Sequence, residues 1–239
     1  MSFSDILERV AEIRGKIAAA VALGGHAQTV CLIAVTKTHG ADAVDAAWRT
    51  GIRDVGENKV QEALDKQATI AASATAESQP AHGAEAVRWH LIGHLQRNKA
   101  KHLGNFALLH ALDSPRLIDA VHEVGQSLGR PIDALLQVNI AGEETKGGFV
   151  PSEVAAEADR LLTLGGVRVR GVMTMAPYDA SEATLRRVFS GARAMRELLQ
   201  KAGHDAAELS MGMSGDFEIA IQEGATMVRL GTVLFGARA

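Results

Sequence analysis

The chain has a single cysteine, Cys31, so neither an intrachain disulfide nor a cysteine-rich zinc site can form. Aromatic residues make up 4% of the 239 residues, too few for a platform that stacks single-stranded nucleic acid. No sign of charge dominates. The 25 Lys and Arg stand against 28 Asp and Glu, a net charge of −3, so nothing in the overall electrostatics calls for nucleic acid. No apolar run approaches the roughly 18 residues of a membrane-spanning helix. The start, Met1–Lys16, mixes charges into its apolar positions and does not read as a secretory signal. G-x-G-x-x-G and H-E-x-x-H are missing, and Gly212-Met213-Ser214-Gly215-Asp216 lacks the last glycine of a G-x-S-x-G elbow. What remains is an ordinary globular balance, 47% apolar and 22% charged, which predicts a soluble, cytoplasmic protein with a sizeable core.

Two textures alternate along the chain. Short apolar runs predict buried strands at Val30–Lys37, Asp54–Asn58, Arg88–Gly93, Phe106–Asp113, Asp133–Ala141, Val167–Ala176, Glu208–Ser214 and Met227–Gly236. Apolar residues spaced by three and four predict the helices between them. Phe3, Ile6, Leu7, Val10, Ile13 and Ile17 form such a stripe before any strand. Leu117, Ile118, Val121, Val124 and Leu128 form a second, and Leu185, Val188, Phe189, Ala192, Met195 and Leu199 a third. Eight strand–helix units in this length predict an α/β fold, a closed (β/α)8 TIM barrel of parallel strands, as a single domain over residues 1–239. Little follows the eighth strand, so no eighth outer helix is expected there, and the extra N-terminal helix is expected to fill its place. Ala71–Ala86, rich in Ala, Ser and Glu, reads as a mobile loop. The runner-up, a doubly wound open sheet, lacks its glycine-rich turn.

In such a barrel chemistry gathers where the strands end. Lys37 ends the first predicted strand, and an amine partly removed from water there can attack an aldehyde. Ser214-Gly215-Asp216 and Gly231-Thr232 follow the seventh strand and lie along the eighth, where this fold holds phosphate. An aldehyde-capturing lysine beside a phosphate cradle suits pyridoxal 5′-phosphate, with a sugar phosphate as the competing ligand. An aldolase using Lys37 with Asp113 or His90 as acid–base partner is a further alternative. Scattered histidines give no metal site, and the methionines of SMGMS and VMTM read as barrel packing. Lys59, Arg97, Lys99, Lys101 and Lys146 read as a solvated basic rim.

Seven segments carry a resemblance. AVTKTHG (Ala34–Gly40), VGEN (Val55–Asn58), WHLIGHLQRNK (Trp89–Lys99), QVNI with the later TKGGF (Gln137–Phe149), GVMTMAP (Gly171–Pro177), LSMGMSGD (Leu209–Asp216) and VRLGTVLFGAR (Val228–Arg238) resemble the pyridoxal phosphate homeostasis proteins of the YggS/PROSC type. The resemblance implies one barrel like the N-terminal domain of alanine racemase. It implies pyridoxal 5′-phosphate held by a reversible Schiff base on Lys37, and a role in storing and delivering it and balancing vitamin B6 without an established catalytic activity. By the same resemblance Ser214, Gly231 and Thr232 hold the phosphate and Arg229 lies near the pyridine nitrogen. Asn58, His90, Asn139, Met211 and Met213 line the pocket. Apo forms of pyridoxal-phosphate enzymes become the expected partners, neither nucleic acid nor membrane is involved, and the protein is expected to be a monomer. The enzyme alternative is a weak amino-acid racemase, which needs a second proton-transfer group opposite Lys37. Tyr178, the only tyrosine, reads instead as a solvated loop residue. The chain departs from many relatives at His94, where they have proline, in a longer loop at 71–86, and in ending at Ala239 without an aromatic and basic tail.

Overall fold

A computed structural model describes residues 5–73, 86–143 and 146–236. Eight strands run through it: β1 (Cys31–Val35), β2 (Asp54–Glu57), β3 (Arg88–Leu91), β4 (Leu108–Leu112), β5 (Ile132–Gln137), β6 (Val167–Met173), β7 (Glu208–Ser210) and β8 (Met227–Leu230). Each pairs in parallel with its sequence neighbours, and β8 pairs with β1 from Cys31↔Met227 to Ala34↔Leu230, closing the barrel. The eight predicted runs are all present, each shorter at its carboxyl end, where the chain turns off the sheet. Their texture has a simple cause. A strand of a parallel barrel is covered on both faces, so β2, β4 and β8 are buried at every position.

Helices α1 (Ile6–Gly24), α2 (Ala41–Arg49), α3 (Val60–Ser73), α4 (Pro115–Ser127), α5 (Val154–Leu162), α6 (Glu182–Ala202), α7 (Phe217–Gln222) and α8 (Thr232–Phe235) accompany the strands. The α6 stripe buries Leu185, Val188, Phe189, Ala192 and Leu199, each contributing roughly 1.5–3 kcal/mol where a large side chain leaves water. Ser181 caps this helix by accepting a hydrogen bond from the Thr184 amide, and Gly203 ends it at φ 109°, a left-handed turn suited to glycine. A second apolar layer lies inside the barrel. Ile33, Leu108, Leu135, Met173 and Met227 come from five strands and pack together, which only the barrel interior permits.

Three expectations change. Residues 232–235 fold as the one-turn helix α8, not as the end of an eighth strand, so a short outer helix does follow β8. The sequence TVLF is apolar throughout and suits a strand or a buried helix turn equally. The N-terminal helix still packs beside this seam: Arg9 donates to the Leu234 carbonyl at 3.1 Å, and α1 contacts α7 and α8. Second, Leu7 and Leu128, both counted into apolar stripes, are exposed. Leu7 lies off the buried line of Ile6, Val10 and Ile13, and Leu128 sits past the last turn of α4. Third, Arg97–Asn105, between β3 and β4, is a 3-10 helix. Of the predicted loop at 71–86, residues 71–73 complete α3, while 74–85 lie outside the described residues, as does Phe3.

Gly125 and Gly166 mark the closest approach of a helix to its neighbour: a Cβ on Gly125 would lie 2.0 Å from the Gly166 carbonyl oxygen. Gly15, by contrast, faces open space within α1. Gly125→Ala should therefore destabilise the protein by about 3 kcal/mol, and Gly15→Ala should stabilise it by roughly 0.5–1 kcal/mol. Urea denaturation of the two variants checks both signs.

Candidate functional site

Because every strand points the same way, the residues that follow the strands collect on one rim. Lys37 lies two residues past β1 and is half-buried. Asn58 follows β2 directly, and an added Cβ on Gly93, after β3, would lie 2.4 Å from the Asn58 carbonyl oxygen, so these two loops touch. Met211, Met213 and Ser214 follow β7, and Gly231 and Thr232 follow β8. The β1–β8 pairing brings the last two against the first strand. A Cβ on Gly231 would lie 3.4 Å from the Val35 carbonyl oxygen, two residues before Lys37. The lysine and the glycine–hydroxyl turn thus stand on adjoining strand ends.

The turn after β7 is braced by Asp216, whose Oδ1 accepts the Met213 amide at 2.6 Å. Burial raises the Asp216 carboxyl above its ordinary range, against the pull of that amide and of Arg229. Gly231 precedes α8, whose first amides have no partner within the helix, as at every helix start. Ser214 is half-buried and Thr232 exposed, and a cleft lined by Ser214, Gly215, Asp216 and Arg186 opens beside them. Backbone amides and two hydroxyls form a donor set suited to an anion.

Four further predicted residues have distinct surroundings. Asn139 braces its own loop: its side-chain nitrogen donates to the Glu143 and Lys146 carbonyls, and its oxygen accepts the Gly142 amide at 3.0 Å. Met211 is fully buried in the main core, whereas Met213 is exposed. His90 sits inside the barrel, one residue before the end of β3, with both ring nitrogens engaged. On the rim, Lys146 reaches the Ala176 carbonyl and the Glu143 carboxylate, joining the loops after β5 and β6. Asp113 accepts a 2.7 Å hydrogen bond from exposed His94. Tyr178 is 92% exposed.

The interior holds what sequence reasoning missed. Asp54 Oδ1 lies 2.9 Å from His90 Nε2, His90 Nδ1 lies 2.9 Å from His110 Nε2, and His110 Nδ1 lies 2.8 Å from Ser210 Oγ. Arg229 Nη1 donates to the same Ser210 oxygen at 2.5 Å, while its Nη2 donates to the Thr174 carbonyl. The two ends of this row of groups carry opposite charges. Burial would raise the Asp54 carboxyl, but the hydrogen bonds and charges of His90 and Arg88 outweigh it and hold the group ionised, so Asp54 only accepts. Arg229 only donates, although burial lowers its guanidinium to about 10. Burial, then the charges of His90 and Arg229, hold the His110 imidazole well below its usual range, so it is neutral. His90 Nε2 donates to the Asp54 carboxylate, and the neutral His110 ring has one donor and one acceptor to share between His90 and Ser210. Of these residues, only His90 and Arg229 carried a sequence signal.

Comparisons with known proteins show the family and the fold. The family model of the alanine racemase N-terminal domain matches residues 15–239. The alanine racemase of Corynebacterium glutamicum shares the fold at a TM-score of 0.66 and 18% identity, over 94% of this chain and 61% of that one. The closed parallel barrel is thus an alanine racemase-like TIM barrel. Among curated relatives, the pyridoxal phosphate homeostasis protein of Pseudomonas aeruginosa is 39% identical over 237 residues, covering 98% of this chain and 96% of that one. Its counterpart in Aquifex aeolicus is 36% identical, covering 97% of each. The solved structure of PipY from Synechococcus elongatus with pyridoxal phosphate bound superposes at a TM-score of 0.82 with 37% identity, over 97% of this chain and 100% of that one. The chain belongs to the pyridoxal phosphate homeostasis protein family.

The neutral, buried His110 has a consequence for pH. Its ordinary value is 6.5 and its folded value lies well below. The unfolded chain therefore binds a proton that the folded one refuses, and stability falls as pH drops below 6.5, with a limiting slope of about 1.4 kcal/mol per pH unit. His110→Gln, neutral at every pH, should be less stable than the parent at pH 7.5 and should remove up to one proton's worth of slope between pH 6.5 and 5. Denaturation midpoints measured across that range check it.

Proposed function

We propose that this protein carries and buffers pyridoxal 5′-phosphate, holding it through a reversible Schiff base on Lys37 and passing it to apo enzymes that use it. The observation that carries the reading is the placement of Lys37 and the Gly231–Thr232 turn on the adjoining carboxyl ends of β1 and β8. The donor set fits the cofactor: an amine for the aldehyde, amides and hydroxyls for the phosphate, and a buried guanidinium for the ring. When bound, the cofactor supplies an aldehyde carbon whose oxygen leaves as water as the C=N bond forms, and which hydrolysis or a second amine releases again.

The residues of the chain have distinct tasks in this reading. Lys37 supplies the nitrogen. Ser214, Thr232 and the first amides of α8 bind the phosphate, and Asp216 shapes their turn by holding the Met213 amide. Arg229, which donates to Ser210 and the Thr174 carbonyl, would be the group nearest the ring nitrogen. A guanidinium there discourages protonation of the ring and weakens it as an electron sink, which suits carriage better than turnover. The wide exposure of Tyr178 gives racemisation no buried base opposite Lys37, and the curated relatives are named for homeostasis, not for a reaction. We read residues 1–239 as one domain, acting as a cytoplasmic monomer. Among the described residues no helix is long and apolar enough to cross a membrane.

Lys37→Ala should abolish both the yellow colour of the cofactor-loaded protein and the adduct that borohydride fixes on residue 37, read by peptide mass mapping. Ser214→Ala and Thr232→Val should each weaken cofactor binding about tenfold, the worth of one hydrogen bond to a charged group, while leaving the adduct on Lys37. A colourless, unmodified parent protein would overturn the proposal. Transfer to an apo enzyme no faster than from free cofactor would overturn the delivery step alone.

A further inference from the structure

A second buried ionic cluster lies directly behind the Lys37 turn. Lys66, on α3, is 6% exposed, and its ammonium donates to three oxygens: the Thr36 carbonyl at 2.8 Å, Glu57 Oε1 at 2.6 Å and Glu62 Oε1 at 3.0 Å. Glu57, the last residue of β2, is fully buried, and its Oε1 also accepts the Thr36 hydroxyl at 2.5 Å. Glu62 Oε1 accepts the backbone N–H of Thr38 at 2.5 Å. One ammonium and two carboxylates therefore grip both residues that flank Lys37.

What they grip is strained. Thr38 has φ 70°, a left-handed conformation that a β-branched residue adopts only where its surroundings impose it. Burying a lysine and a glutamate against each other gains little stability over an apolar pair. The second oxygen of Glu57, Oε2, is buried with no hydrogen-bond partner among the described residues, a further cost. Strain and unrewarded burial together, both centred on residues 36–38, point to positioning and not to packing.

We propose that Lys66, Glu57 and Glu62 are positioning residues for Lys37, clamping the 36–38 turn so that the lysine leaves the rim along one fixed direction. The inference rests on the reading of Lys37 as the covalent anchor. A lysine side chain has four rotatable bonds, and fixing the backbone beneath it lowers the entropy lost when its amine is tied down. The clamp thereby sets how long the cofactor stays.

The test compares Glu62→Ala with Glu62→Gln, since Gln keeps an oxygen facing Thr38 and Lys66. Glu62 lies at the edge of the cluster, with a quarter of its side chain exposed, so both variants are expected to fold. In the cofactor-free protein, hydrogen exchange at the Thr38 amide should accelerate about tenfold or more in Glu62→Ala. In the loaded protein, release of pyridoxal 5′-phosphate should quicken by a similar factor. Glu62→Gln should restore most of both, and the melting midpoint should change little in either. The Glu57→Gln/Lys66→Met double variant, which removes both charges together, should repeat the faster release. Release unchanged within twofold in Glu62→Ala, or a Thr38 amide already unprotected in the parent, overturns the clamp while leaving the anchor intact. A parent protein unmodified at residue 37 overturns the anchor and the clamp with it, so the two failures are told apart.

Discussion

The barrel is organised around an ion pair whose members never touch. Asp54, at the amino-terminal end of β2, and Arg229, near the carboxyl end of β8, are joined through His90, His110 and Ser210. Each ion costs several kcal/mol to take out of water, and each is offset only while the intervening groups keep their protons in order. Arg88 completes the Asp54 end with two hydrogen bonds, at 2.8 and 2.5 Å, and lies half in solvent. The chain spans five strands, so it fixes their relative register as well as the direction of the Arg229 guanidinium. Burial keeps the His110 ring neutral midway between the two ions.

Around that axis the two ends of the barrel divide their labour. At the amino-terminal end, Cys31, Asp54, Arg88 and Glu208 line a cleft, and burial, then the nearby Asp54 carboxylate, pushes the Cys31 thiol up, away from its reactive form. At the carboxyl rim, short turns after β1, β2, β7 and β8 carry Lys37, Asn58, Ser214 and Thr232. The rim loops are held by side-chain bonds to backbone: Asn139 after β5, Asp216 after β7 and Glu62 behind the turn after β1. None of these bonds draws on the strands themselves.

Much of the fold was legible because a parallel barrel buries both faces of each strand, and burial writes apolar runs into the sequence. The rim residues were legible for the same reason, since Lys37, Asn58 and Ser214 are the polar positions at which those runs close. Residues 232–235 were not, because TVLF suits either state until the chain beyond is placed. The interior chain was hidden more deeply. His110 and Ser210 are 100 residues apart, and a single polar residue inside an apolar run gives no hint of its partner across the barrel. The clamp offered one local cue, Glu62 and Lys66 at helical i,i+4 spacing, which reads as a surface pair until α3 is packed against β2.

Closure of the ring by β1 and β8 sets an order on the molecule's history. Arg9 and Leu234, which meet across the seam, are 225 positions apart. During synthesis the strand bearing Arg229 emerges after the other seven, so His110 and Ser210 wait for its guanidinium while those strands are already made. A nascent chain stalled short of β8 therefore holds an open sheet with unpaired edges at β1 and β7, and is a substrate for chaperones and proteases until that strand arrives.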